Sequence, residues 1–294
     1  MKTIAVLTDF SERSVHAARY ALQLAQKIKA DILLFHSFLV PDLSSRSAHS
    51  RWPDVDYEQV KNDCELELLT TSLKLKKELK DKNLSGLYSP SINFRCEEGA
   101  IANSIAELEE NKNIILLVLG AHGEDKETEF MMGNNCRQII DAASIPLLIV
   151  PEHASLKNIE KFMFATDNSI GDIDYINALS SLAKYFSAEI AVANVNSSEH
   201  ANTPHDSSTN LFWKEIVDKV LYNRVYYRSI PNANVKNGID WLIENVKFDI
   251  LVMVHRKSMN YDFYFKPSIT KKIADRVYVP LMVFPNPVDS IPNF

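Results

Sequence analysis

The sequence lacks the cysteine motifs, the long apolar runs and the basic charge that mark metal-binding, membrane and nucleic-acid-binding proteins. Its three cysteines, Cys64, Cys96 and Cys136, lack the Cys-x2-Cys spacing of zinc and redox sites, which predicts reduced, partly buried thiols. No apolar run approaches the ~20 residues that span a bilayer, and the first residues pass into a strand pattern without a signal peptide. The net charge of −6 lacks the basic excess that nucleic acids and anionic membranes attract. We therefore expect a cytoplasmic protein that binds neither nucleic acid nor membrane.

Glycine is also scarce, yet three of the seven glycines fall in one segment. Gly120, Gly123 and Gly133 form the pattern Gly-x2-Gly-x9-Gly, after the apolar run 114–119 and before a helical pattern at 134–143. A backbone without Cβ can approach a ligand closely, and the start of a helix presents unpaired N–H groups to an anion. The pattern predicts a strand, a phosphate-binding loop and a helix. The alternative is a tight turn without a ligand.

The sequence contains one long internal repeat. The segment 145–151 returns as 279–285 with the same Pro-Leu start and final proline, and 4–9 returns as 162–167 with the same Thr-Asp ending. A period this long predicts two domains rather than a solenoid. We expect them at residues 1–151 and 160–286.

The two copies differ in length. The early matches are 158 positions apart (9 to 167) and the late ones 134 (146 to 280), so the first copy carries about 24 extra residues between Asp31 and Ile101. The polar stretch 38–56, which contains Trp52, lies in this interval. It is either a lid over a ligand site or an ordinary insertion.

Strand and helix patterns alternate throughout both copies. Nearly continuous apolar runs at 3–8, 114–119 and 146–150 predict strands that are buried on both faces, and helical spacing recurs between such runs. The alternation predicts an α/β fold with two tandem doubly wound domains, each built on a five-stranded parallel sheet.

With Thr8-Asp9 after the first strand, the glycine pattern and Pro-Leu-Leu-Ile-Val at 146–150, the sequence resembles the universal stress protein family in a tandem form. The resemblance covers nearly the whole chain and implies the adenine-nucleotide-binding α/β superfold of that family. Nucleotide-binding members carry Ser or Thr after the third glycine, where this chain has Asn134. Asn can donate a hydrogen bond through its amide, so the change is expected to weaken phosphate binding rather than abolish it.

The resemblance implies a nucleotide site at the carboxyl edge of the first sheet. The glycine loop and the following helix would hold the phosphates, and Asp9 would contact the adenosine end together with residues near Phe38. Asp9 fits a helix cap equally well, and His122 fits a solvent-facing loop position better than a phosphate ligand. The candidate binding residues are Thr8, Asp9, Phe38, Val40, Gly120, His122, Gly123, Gly133, Asn134 and Asn135.

The second copy does not repeat the glycine loop. The same register places Val254, Lys257 and Pro267 at the three glycine positions. The valine adds a Cβ and two methyl groups, and the proline removes an N–H from a phosphate cradle. We therefore expect nucleotide binding in the first domain alone. The aromatic residues at 261–265 either pack beneath their loop or fill the vacated pocket.

Two functions fit these observations. The first is a stress-response protein whose N-terminal domain binds ATP or a related adenine nucleotide, with or without Mg²⁺, as a sensor or switch for an unknown protein partner. The second is an interaction scaffold without nucleotide, built as an internal pseudo-dimer through strands 146–150 and 280–284. The sequence leaves open whether two chains associate further as a homodimer.

Catalytic motifs are absent from the sequence. It has no Ser-His-Asp arrangement with nucleophile-elbow spacing, no Walker lysine and no paired metal ligands. We therefore expect no catalytic residue, no resident metal site and, at most, slow ATP hydrolysis.

Overall fold

The computed structural model has the predicted alternation of strands and helices. It describes residues 1–39, 57–81, 88–121, 134–196, 207–256, 269–274, 278–286 and 294, and it describes the backbone alone for Asn134, Asn135, Ser207, Ser208 and Lys272. The first half contains β1 (Thr3–Leu7), α1 (Glu12–Ile28), β2 (Asp31–Phe38), α2 (Tyr57–Asp81), β3 (Ile92–Glu98), α3 (Ile101–Glu109), β4 (Ile114–Ala121), α4 (Asn134–Ala142) and β5 (Leu147–Pro151).

The second half repeats the same order of elements. It contains β6 (Lys161–Thr166), α5 (Asp172–Phe186), β7 (Glu189–Asn196), α6 (Ser207–Lys219), β8 (Val225–Pro231), α7 (Val235–Asn245), β9 (Ile250–Arg256), α8 (Ile269–Ala274) and β10 (Leu281–Asn286). The predicted α/β fold class is confirmed. Within the described residues, no helix is both long and apolar enough to cross a membrane.

All ten strands form one sheet in the order β3-β2-β1-β4-β5-β10-β9-β6-β7-β8. Neighbouring strands run parallel within each half, and β5 and β10 are antiparallel, with Leu148 opposite Met282. One apolar layer covers each face of the sheet, and both layers extend across the β5–β10 pair. The two strands that the sequence placed at a seam therefore join the halves edge to edge.

A polar cluster also crosses this seam. Asp141, at the end of α4, has one carboxylate oxygen 3.2 Å from Nε2 of His255 on β9 and the other 2.5 Å from Nζ of Lys271 on α8. His255 is buried. The far end of α4 is thus tied to two elements of the second half.

The strand registers reproduce the offsets of the sequence repeat. Leu7 lies opposite Leu119 in the first half, and Ala165 lies opposite Met253 in the second. Ala165 follows Leu7 by 158 positions and Met253 follows Leu119 by 134, which are the two offsets of the repeat. Most of the extra length lies between β2 and β3, because positions 39–91 separate them while positions 197–224 separate β7 from β8. In the part of this interval that the structure describes, α2 has 25 residues and its counterpart α6 has 13.

Two of the three cysteines form a disulfide, which corrects the expectation of reduced thiols. Cys64 on α2 and Cys96 on β3 are joined with an S–S distance of 1.96 Å and a Cα–Cα distance of 6.5 Å. The packing of α2 against β3 brings together residues that are 32 positions apart, and their spacing in the sequence carries no sign of it. Cys136 is buried and takes no part in the disulfide.

Candidate functional site

A cavity of about 180 Å³ lies at the carboxyl ends of β1, β2 and β4. Its wall includes Thr8 and Asp9 after β1, Arg13 in the first turn of α1, Gly120 near the end of β4 and Cys136 in the first turn of α4. Crevices at this edge of a parallel α/β sheet are where such folds bind ligands. The cavity therefore brings together five separate parts of the chain around one small volume.

The turn from β1 into α1 is held by its own side chains. Thr8 Oγ1 accepts a hydrogen bond from the backbone N–H of Phe10 at 3.0 Å and lies 2.9 Å from Oγ of Ser14. Phe10 has a φ of 65° in the left-handed region. Such a conformation is unusual for a bulky residue and needs support from its surroundings. The fixed turn holds Asp9 at the rim of the cavity.

Asp9 is exposed and ionised, and it is not the cap of the first helix. The N-cap of α1 is Ser11, whose side chain accepts from the backbone N–H of Ser14. Asp9 instead accepts a hydrogen bond from the backbone N–H of Ser11 at 3.1 Å. Partial burial acts to raise the pKa of Asp9, but the hydrogen bonds from Ser11 and Ser14 outweigh it and hold this pKa below the ordinary 3.8. The carboxylate is thus available to accept hydrogen bonds at neutral pH.

Gly120 has a packing role that needs no ligand. A Cβ built at this position would lie 2.7 Å from the carbonyl oxygen of Arg13 and 2.8 Å from its carbonyl carbon. Only glycine lets the first turn of α1 come this close to β4. The sequence pattern predicted that this glycine binds phosphate, and it carried no sign that α1 packs against it.

The other predicted site residues differ in how far the structure describes them. Val40, His122, Gly123 and Gly133 lie outside the described residues, as do the proposed lid, the aromatic segment 261–265 and the loop positions Lys257 and Pro267. Asn134 begins α4, as predicted. Phe38 is buried, with its ring 5.9 Å from that of Tyr57 on α2, and it is not among the residues of the cavity wall.

His36, near the end of β2, has polar and aromatic partners within the sheet edge and the adjoining turn. Its Nδ1 lies 2.7 Å from the carbonyl oxygen of Thr8, and its ring is 4.5 Å from that of Phe10. The histidine therefore contacts the turn after β1, and it is not among the residues of the cavity wall.

The same turn recurs after β6 in the second half. Thr166 Oγ1 accepts from the backbone N–H of Asn168 at 2.8 Å, and Asp167 accepts from the backbone N–H of Ser169 at 3.1 Å. Asn168 has a φ of 63°, matching Phe10. The repeat therefore preserves the turn and its acidic residue, although it loses the glycine loop.

The chemistry around the second turn is different. The register places Asp172 where the first half has Ser14, and Arg256 where it has His122. Arg256 extends Nη1 to Asp167 at 3.0 Å and Nη2 to Asp172 at 2.6 Å. Burial raises the pKa of Asp172 to about 6, although hydrogen bonds from Thr166 and Arg256 oppose the rise. A guanidinium of the chain itself thus binds both carboxylates at this edge.

Sequence reasoning missed Arg256 and Asp172 as partners. The sequence indicates this pair in two ways only: an aspartate replaces Ser14 at the matching position, and an arginine stands at the end of β9. Within the described part of the chain, no group of three or more His, Cys, Asp or Glu residues is arranged to hold a metal ion.

Known proteins resemble this chain in sequence and in fold. Residues 1–151 match the family model described as the universal stress protein family. The universal stress protein MJ0531 of Methanocaldococcus jannaschii is 26% identical over 149 residues, which are 51% of this chain and 81% of that protein.

Two solved structures share the fold along nearly the whole chain. A universal stress protein from Archaeoglobus fulgidus DSM 4304 is 15% identical, with 96% of this chain and 97% of that chain covered and a TM-score of 0.71. A putative universal stress protein from Pseudomonas aeruginosa UCBPP-PA14 is 11% identical, with coverages of 97% and 93% and a TM-score of 0.59.

Proposed function

The chain belongs to the universal stress protein family, and from this membership we propose that its first half binds ATP or a related adenine nucleotide as a sensor or switch. The observation that carries the proposal is the cavity where Asp9, Gly120 and the first turn of α4 meet. We assign the two halves to domains at residues 1–151 and 160–286, with the ligand in the first. The predicted cytoplasmic location stays part of this proposal.

The cavity offers complementary groups to the two ends of a nucleotide. An ionised carboxylate such as Asp9 accepts hydrogen bonds from ribose hydroxyl groups. The first turn of α4 carries the positive end of a helix dipole, which favours phosphate. The ligand would therefore lie with its sugar toward β1 and its phosphates toward α4.

We propose that the second half does not bind nucleotide in this way. At the position of Gly120 it has Val254, a buried residue that adds a Cβ and two methyl groups where the first half has no side chain. Its acidic residue Asp167 is bound by Arg256, and that ion pair must break before a ribose can use the carboxylate. Both features argue for a single site in the chain.

A physical connection between site and seam supports a switch. The first turn of helix α4 reaches the cavity through Cys136, and its last turn contains Asp141, which contacts His255 and Lys271 of the second half. A ligand that shifts the first turn of this nine-residue helix would also shift its far end, because a helix moves largely as a rigid element. Binding in the first half would thereby reach the second.

One observation favours the alternative, an interaction scaffold without nucleotide. The packing of Gly120 against α1 accounts for the first glycine of the pattern without any ligand. In that case the ten-stranded sheet, joined through β5 and β10, would itself be the functional unit.

Isothermal titration of the full chain with Mg-ATP tests the proposal. We expect saturable binding with a stoichiometry near one, and loss of that binding in a Gly123→Val, Gly133→Pro variant, which adds a branched side chain to the glycine loop and removes one of its N–H groups. An Arg256→Ala variant serves as the matched control, since it alters only the second edge and should keep the same stoichiometry. Absence of binding by folded, nucleotide-free protein would reject the nucleotide site and leave the scaffold.

A further inference from the structure

Helix α2 carries a row of exposed leucines on the side that faces away from the sheet. Leu66, Leu69 and Leu73 are 62%, 41% and 56% exposed. Their spacing of three and four residues places them on one face of the helix. The opposite face packs inward through Leu68 and Leu75, which are fully buried. We call the three exposed residues the leucine stripe.

Exposed charges on α2 separate by sign along the helix. Acidic residues dominate the part before Leu69, and basic residues dominate the part after it. Glu78, an acidic residue in the basic part, is already paired with Arg19 of α1 at 2.9 Å. The exposed acidic residues are Glu58, Asp63, Glu65, Glu67 and, at the last position of the helix, Asp81, and the exposed basic residues are Lys74, Lys76, Lys77 and Lys80.

The stripe is a property of the first half. The counterpart helix α6 is about half as long, and its exposed apolar residues Leu211 and Val217 are six positions apart, so they do not form a row. The repeat therefore builds the same sheet twice but provides this surface once.

We propose that the leucine stripe binds the stripe of a second copy of this chain, with the two α2 helices antiparallel. An antiparallel pair places the acidic part of each helix beside the basic part of the other, at both ends of the contact. A parallel pair would oppose like charges along its whole length. The three- and four-residue spacing lets leucines from the two helices interdigitate, and a two-fold axis near Leu69 gives the self-complementary interface of a closed dimer.

The first test is the mass of the full chain in solution by sedimentation equilibrium. We expect a dimer of the 33.4 kDa chain. A Leu69→Glu, Leu73→Glu variant should raise the dissociation constant of this dimer by at least about tenfold, because it places ionised carboxylates where the dimer would bury leucines. A Leu211→Glu, Val217→Glu variant places the same charges on α6 and should leave the constant unchanged.

Charge reversal tests the antiparallel arrangement. Asp63→Lys with Glu65→Lys should weaken the dimer several-fold, and so should Lys76→Glu with Lys77→Glu. All four changes together should restore it, because the two parts again carry opposite charges.

Three outcomes would overturn the proposal. One is a monomer at every concentration, and another is a dimer that the leucine variant does not weaken. The third is a lower melting temperature of that variant at unchanged mass, which would mean that another segment of the same chain, such as residues 40–56, covers the stripe.

Discussion

Nη2 of Arg256 lies 2.6 Å from Oδ1 of Asp172, a carboxylate whose side chain is 1% exposed. The residue that matches Asp172 in the first half is Ser14, which reaches Thr8 with a neutral hydroxyl group. The second half therefore places a negative charge inside the turn and compensates it with its own cation. The two turns thus share a backbone conformation but differ in the charge of one side chain, and this difference leads to two predictions.

Arg256→Ala should destabilise the protein by about 2–4 kcal/mol, because it leaves a buried carboxylate without its cation; the lower end allows for the partial exposure of Arg256. Adding Asp172→Ser gives the second half the residue of the first. This double variant should recover stability to within about 1 kcal/mol of the wild type. Urea unfolding measures both values, and equal losses in the single and double variants would contradict a role for the pair.

The stability of the protein should depend on pH through Asp172. The folded-state pKa of about 6 lies above the ordinary 3.8, so the folded protein binds this proton more tightly than the unfolded chain. The resulting stabilisation is fully present below a pH of about 4 and is lost as pH rises through about 6. Over this window the free energy of unfolding should fall by about 1–3 kcal/mol relative to an Asp172→Asn variant.

Asp9→Asn is the matched control for the pH experiment. The pKa of Asp9 lies below 3.8, so its effect has the opposite sign and is lost only as pH falls below about 4. Urea unfolding across the window should show no change in the difference between this variant and the wild type. A wild-type curve parallel to that of Asp172→Asn would show that Asp172 titrates normally.

Gly120→Ala should cost about 1–3 kcal/mol, because the added Cβ meets the backbone of Arg13 and the first turn of α1 must move. Gly171 offers a control with the same chemical change. A Cβ there has only Ser169 Oγ nearby, at 3.9 Å, and φ is −62°, so Gly171→Ala should be neutral or stabilising by up to about 1 kcal/mol. Denaturant unfolding of both variants measures the contrast, and equal effects would mean that the close approach at Gly120 is not restrictive.

The features that could be predicted from the sequence are those that local patterns encode. Buried apolar runs identify the strands, and the matching segments around Asp9 and Asp167 locate equivalent turns in the two halves. The terminal runs of the two copies even indicated the β5–β10 seam. Each of these signals lies within a few consecutive residues or in their repetition.

The features that could not be predicted arise when the fold brings distant residues together. Arg256 and Asp172 are 84 positions apart, and Cys64 and Cys96 are joined only because α2 packs on β3. The sequence pattern singled out Gly120, but the close contact of this glycine with Arg13 depends on how α1 crosses β4. Periodicity reports which face of an element is buried and not which partner lies against it.

The number of reactive thiols tests the disulfide. Unfolded in denaturant without reductant, the chain should expose one thiol, Cys136, and after reduction it should expose three. A Cys64→Ser, Cys96→Ser variant should lose about 3–4 kcal/mol of stability, since the bridge closes a loop of 32 positions in the unfolded chain. Three thiols before reduction would restore the expectation of free cysteines.

Cys136 provides a readout of the nucleotide site that does not depend on heat or turnover. Among the described residues it is the one cysteine outside the disulfide, and it lines the cavity from the first turn of α4. Bound nucleotide should therefore slow its alkylation by iodoacetamide several-fold, because the ligand blocks access to the thiol and restrains the helix. Peptide mass spectrometry with and without Mg-ATP measures the rate. The Gly123→Val, Gly133→Pro variant should show no protection, whereas Arg256→Ala should be protected like the wild type. Equal alkylation of the wild type with and without nucleotide would place any bound nucleotide away from this cavity.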